Sequence, residues 1–341
     1  FASIEGAQRV LRRVKARGQL PRQVTVYLRG GRYERAKPVV FTPEDSGPIT
    51  YAAYEDEKPV LEGGRRIEGW TEEQLNGKTV WVAELPEVAR GEWYFRQLFV
   101  DGQRRPRPRL PKEGLYRITE VPGMPLPSGW GGGGYDRFRL GPGEMKSWKN
   151  LADVEIVAFH FWIDERFPVA KFDEDSEMIT VSRPSYAPLT EAHGEALAPC
   201  FVENVFEALS EPGEWYLDRP TGRLYYIPRE GEDPEQTPVY APRALQLLRL
   251  EGRPKNNRHV EFLRFEGLHF EHTRWVQPGP GVEDLLAPSF RIPGRAQRGR
   301  YRGEKASSCQ GAADVPGVVY MAGARGCAVE NCRLAHLGWY G

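Results

Sequence analysis

The sequence predicts an all-β protein: a parallel β-helix of stacked short strands, interrupted by a β-sandwich-like insertion and preceded by a short capping helix. Three observations lead there. Short segments of period-two alternation follow one another with no helix between them. A ten-residue pattern at 263–272 recurs at 327–336, a constant offset of 64 residues. Glycine (37) and proline (29) supply turns, while a 40% hydrophobic and 11% aromatic content is too high for a disordered polymer.

Ser3 is an N-cap, and Ile4, Ala7, Val10, Leu11 and Val14 recur at helical spacing until Gly18 offers a stop. A helix placed ahead of a run of strands covers the open end of a solenoid, where backbone groups and apolar layers are otherwise exposed. From Gln23 the period changes to two, giving short strands at 24–28, 38–41, 49–53 and 59–64, with a turn at Gly30-Gly31. Beyond about Thr79 the spacing loosens. Residues 103–111 (QRRPRPRLP) hold too many prolines for a regular ladder and read as loop, and Trp130 precedes four glycines. Strands return at 154–163, 178–182 and 214–227, the last a hairpin with its turn at 218–222. This loose stretch, 85–235, is the expected insertion. Residues 1–84 and 236–341 are the expected helix and rungs on either side.

In the recurring pattern, apolar residues coincide at Leu263 with Cys327, Phe265 with Val329, Leu268 with Cys332 and Phe270 with Leu334. A bend former stands at the same step in both, Gly267 and Asn331. The offset exceeds one β-helix coil of about 20 to 25 residues. Other coils or a long excursion must lie between, and the glycine-, proline- and arginine-rich stretch 276–316 is the expected loop.

Composition excludes several functions. Lysine plus arginine (47) balances aspartate plus glutamate (47), so no summed field draws the molecule to nucleic acid or to an anionic membrane. No apolar run approaches the length of a membrane-spanning helix. Cys200, Cys309, Cys327 and Cys332 lack the paired spacing of a zinc site or a disulfide framework and read as structural thiols. The chain opens on Phe1 without a leader pattern, so we expect that the true N-terminus, with any signal peptide, lies upstream.

Residues 213–228 (GEWYLDRPTGRLYYIP), 262–275 (FLRFEGLHFEHTRW) and 323–341 (GARGCAVENCRLAHLGWYG) resemble the right-handed parallel β-helix proteins of bacterial polysaccharide degradation. The resemblance is to glycoside hydrolase family 141 and, more distantly, to family 120. It extends over essentially the whole chain. It implies a right-handed β-helix carrying an inserted β-sandwich-like domain, and a secreted enzyme, extracellular or periplasmic, that acts on plant or other complex polysaccharide without a cofactor. In such proteins more rungs follow a segment like HLGWYG and supply the paired carboxylates. The expectation is therefore an N-terminal fragment whose catalytic residues are unknown. The same scaffold also carries polysaccharide lyases and non-catalytic cell-surface binding modules. A lyase would want an acidic calcium cluster, which the rung segments lack.

Glycoside hydrolysis needs two carboxyl groups set a few ångströms apart, and Glu271, Glu283, Asp284, Asp314 and Glu330 fall near the rungs, where solvated surface carboxylates are the simpler reading. His272 and His336 occupy the same step of the matched segments, so stacking would bring the two imidazoles to one face. They could bond sugar hydroxyls, act as acid or base near neutral pH, or satisfy turn carbonyls. Trp275, Trp339 and Tyr340 follow them, and flat apolar faces beside polar groups suit a sugar groove or packing against the insertion. His272, Trp275, His336, Trp339 and Tyr340 are thus the expected substrate contacts. The acidic run 173–177 lacks the spacing of a calcium loop and reads as a hairpin turn, and 129–134 lacks the elements of a phosphate loop; no metal site is expected.

Overall fold

The computed structural model describes residues 1–129, 132–191, 194–276, 305–306 and 316–341. The expected loop at 276–316 lies almost wholly outside these residues, as do Trp130, Glu283, Asp284, Cys309 and Asp314. The protein is mostly β.

The helix forms at Ile4–Ala16, with the Ser3 hydroxyl accepting from the Gly6 N–H at 3.2 Å, and it ends where Gly18 takes φ +68°. Ile4 and Leu11 pack on the adjacent core, and Arg12 donates to both carboxylate oxygens of Asp45 at 2.6 Å.

Four sheets are purely parallel: three larger ones, and the pair Val260–Glu261 with Ala324–Arg325. The first holds Val24–Leu28, Ile49–Ala53, Leu263–Glu266 and Ala328–Glu330 in that order. The second holds Gly31–Glu34, Pro59–Glu62, His269–Glu271 and Arg333–Ala335. The third holds Val39–Phe41, Leu248–Glu251 and Val319–Ala322. The chain meets them in the same cyclic order on each pass, first, second, third, and the matched segments lie side by side. Phe265 is opposite Val329 and Phe270 opposite Leu334, the register that the 64-residue offset demands. Gly267 and Asn331 both turn with positive φ, +67° and +51°, where glycine and asparagine are cheapest. Alternate side chains point inward, and Phe41, Tyr51 and Phe265 meet edge-to-face and stacked, with centroids 5.0 to 5.6 Å apart.

The chain leaves this stack after Glu62 and rejoins it at Leu248. Between them the strands are antiparallel. One sheet pairs Gly64–Arg66, Val239–Pro242, Leu98–Val100 and Gln103–Arg105; another pairs Thr71–Leu75, Lys78–Glu84, Arg223–Tyr226 and Trp215–Asp218. The hairpin expected at 214–227 forms there. The expected boundary at residue 85 falls inside this unit, because Lys78–Glu84 pairs with Arg223–Tyr226. The largest sheet is built on Glu155–His160, Ile163–Asp173, Met178–Val181 and Pro199–Glu203 around its own core.

Two expectations need correction. The stretch 154–163 is not one strand: Phe161 takes φ +51° and the chain turns through Phe161-Trp162 into a second strand. Residues 103–111 are not only loop, since Gln103–Arg105 and Arg109–Leu110 are short strands. Pro106 and Pro108 fall between them, so neither proline removes a ladder donor. The acidic run at 173–177 is the hairpin turn expected. Cys200, Cys327 and Cys332 are free thiols, and burial pushes Cys200 up to about 12.

Candidate functional site

The two matched segments end in matched turns, and His272 and His336 stand at equivalent steps with φ +56° and +55°. Their rings stack at 5.0 Å and 10°. Tyr240, from the returning insertion, stacks on the other face of the column at 4.9 Å from His272, and Phe99 leans on both imidazoles. His272 is 2% exposed, its Nδ1 3.0 Å from both Glu62 oxygens, the geometry of an N–H donating to a carboxylate. Arg32 Nη1 donates to Glu62 and, at 3.0 Å, to Glu271. Glu62, Glu271 and His272 offer ligand-type atoms within 4.8 Å of one another. The Arg32 guanidinium bridges the two carboxylates and offsets part of their charge. His336 is half-buried, and desolvation, then the neighbouring His272, lowers its pKa below the ordinary imidazole value.

After each histidine the chain delivers a tryptophan. Gly338 N–H donates to Thr273 Oγ1 at 3.0 Å, so the two turns touch, and a Cβ on Gly338 would lie 2.4 Å from backbone atoms of Arg274. Trp275 and Trp339 thereby line one cleft of about 240 Å³. Tyr340, 54% exposed, packs edge-on against Trp339 but is not part of the cleft lining. The Trp275 backbone N–H donates to Gln97 Oε1 at 3.0 Å, and Arg96 and Arg166 lie over its ring at 5.4 and 5.9 Å.

The facing wall comes from the segment read as loop and from the large antiparallel sheet. Arg104, Arg105, Arg107 and Arg166 line the cleft together with Glu203. Glu203 and Glu155 are directly opposed on neighbouring strands, a repulsive pairing that needs compensation. Arg107 Nη2 donates to both, Arg96 donates to Glu155 and Arg166 to Glu203. Burial opposes ionisation of Glu155, but Arg96, Arg107 and Arg166 outweigh it and hold its carboxyl below the ordinary carboxylate range. Of the acids named near the rungs, Glu271 is in the Arg32 network and Glu330 forms an exposed pair with Arg264.

Sequence reasoning missed the arginine wall. Arg105 and Arg107 alternate in an extended run, the spacing that sends side chains to one face of a strand, and the proline between them hid it.

Residues 145–229 match the family model of the GH141 insertion domain. A solved structure titled "Glycoside hydrolase" superposes with a TM-score of 0.73 at 25% identity over 98% of this chain. The chain is similar to glycoside hydrolase family 141. It spans 59% of the length of that solved chain. A second structure, titled "The complex structure of XylC with xylose", aligns at 15% identity over 86% of this chain and 32% of its own, with a TM-score of 0.33. No curated protein sequence matches. The residues matched by the insertion-domain model include the strands that carry Glu155, Arg166 and Glu203, whereas Arg96, Arg104, Arg105 and Arg107 lie outside the match.

Proposed function

We propose that this chain is the carbohydrate-binding N-terminal part of a glycoside hydrolase acting on polysaccharide outside the cytoplasm. In this reading the three larger parallel sheets are faces of a right-handed β-helix, and the antiparallel unit is its β-sandwich-like insertion. The cyclic order of the sheets and the in-register stacking of the matched segments support that architecture. No helix among the described residues is long and apolar enough to cross a membrane.

One observation carries the functional reading: Trp275 and Trp339, 64 residues apart, enter a single cleft beside charged hydrogen-bonding groups. Indole faces take the apolar face of a pyranose ring, and the polar wall takes its hydroxyls. His272 and His336 stand behind that surface and fix Phe99, over which Arg104 lies at 5.4 Å. Binding without turnover is the expectation for these residues by themselves. A glycosidase acid must hold a proton near neutral pH, and Glu155 is kept ionised instead.

The test is titration of the chain with xylo-oligosaccharides and pectic fragments, followed by tryptophan fluorescence and by assay for released sugar. Binding, weakened about tenfold or more by Trp339→Ala, with no turnover, supports the reading. Affinities unchanged by Trp275→Ala and Trp339→Ala would refute it. Unsaturated, ultraviolet-absorbing products would establish a lyase.

A further inference from the structure

We infer that the cleft selects glycans that carry a negative charge, with a uronosyl carboxylate seated against Arg104 and Arg107. The inference rests on the sugar-binding reading and names the substrate class for that site. The chain as a whole is balanced, 47 basic against 47 acidic residues, yet five arginines and one carboxylate line this cleft. Behind the lining, Glu155 pairs with Arg96 and Arg107, and Glu232 with Arg105 at 2.6 Å. Asp164 adds a looser pair with Arg166 at 3.8 Å, so four of the five guanidiniums have carboxylate partners and Arg104 has none among the described residues.

The surplus sits in particular places. Arg104 makes no ion pair among the described residues; its Nη2 donates to the Leu337 carbonyl at 3.0 Å, next to the turn that carries Trp339. Arg107 is 8% exposed, its Nη2 shared between Glu155 and Glu203, while its Nη1 is fully buried and has no acceptor among the described residues. A guanidinium fork matches a carboxylate better than a hydroxyl. A neutral sugar would stack on the indoles and leave the exposed Arg104 without a counter-ion. A uronate brings one.

The experiment compares binding of tri-galacturonate, its neutral methyl ester and a sulfated galactan oligosaccharide to the wild-type chain and to the Arg104→Gln and Arg107→Lys variants. Arg104 is exposed, so Arg104→Gln keeps the fold, which circular dichroism checks for both. Tri-galacturonate should bind about tenfold or more tightly than its ester, and each variant should lose most of that difference. Added salt should weaken the acid and spare the ester. Preference for the sulfated oligosaccharide over both, lost in the same variants, would support the anionic site with a sulfate ester as its ligand. Equal binding of acid and ester would overturn the charge inference and leave the sugar site standing. An acid preference that survives both substitutions would overturn the assignment to these arginines. Failure of all three saccharides to bind would sink this inference together with the sugar-binding reading.

Discussion

Glu155 shows how one buried carboxylate organises the cleft wall. It is 1% exposed and faces Glu203 across the ladder, so it persists as a charge only because Arg96 and Arg107 bond it. Replacing it with glutamine leaves Arg96 without its counter-ion and the buried Arg107 with Glu203 alone. Breaking a buried pair in this way costs about 3 to 5 kcal/mol, which urea denaturation of Glu155→Gln at neutral pH should register. The folded-state pKa of Glu155 is depressed, so its contribution is present above the ordinary carboxylate value and disappears as pH falls through the folded one. The variant should accordingly lose part of the wild type's acid sensitivity. At this scale the histidines and tryptophans were legible, because repetition marked them. The arginines were not: 103–111 reads as loop from its prolines, and pairing with Glu155 and Glu203, 48 and 96 residues away from Arg107, leaves no local trace.

At the scale of elements, in-register stacking does the positioning. Phe265 shares the interior with Phe41 and Tyr51 at 2% exposure or less, so its removal opens a cavity between two sheets. Phe265→Ala should cost about 3 to 5 kcal/mol, seen as a lower urea midpoint with an unchanged slope. Gly338 acts more locally. A Cβ there would lie 2.4 to 2.5 Å from backbone atoms of Arg274 and Trp275, so a methyl group must drive the two turns apart. We expect Gly338→Ala to cost about 1 to 3 kcal/mol and to weaken sugar binding as strongly as Trp275→Ala, because it displaces that indole. A stability loss with unaltered binding would separate the turn from the cleft. The parallel strands near both ends were legible from alternation and from the 64-residue echo. The antiparallel strands were read less well, since Leu98–Val100 and Arg109–Leu110 are too short to show a period and owe their conformation to distant partners.

Across the whole molecule, the seam between the parallel sheets and the insertion is polar and titratable. Gly63 carbonyl accepts from the Arg243 and Ala244 N–H groups at 2.8 Å, Arg104 reaches Leu337, and the Tyr240, His272 and His336 column bridges the two sides. His336 is the titrating member of this seam, faced by His272, Arg104, Arg333 and Glu271. Its folded-state pKa lies below the ordinary 6.5, first through desolvation and then through His272. The unfolded chain therefore binds the proton more readily than the folded one, and stability falls as pH drops below about 6.5 until the folded pKa is passed. His269, lowered first by desolvation, adds to the same slope. Lowering the pH from neutral toward the carboxylate range should reduce the urea midpoint before any carboxylate titrates. His336→Gln, which keeps a polar side chain without the titration, should flatten that limb while leaving the steeper fall of the carboxylates in place. Sugar binding should weaken over the same interval in the wild type and less so in the variant, because Phe99 and Arg104 are held from the far side by this histidine. If the midpoint is flat down to the carboxylate range, the seam does not titrate and the histidine column is only packing.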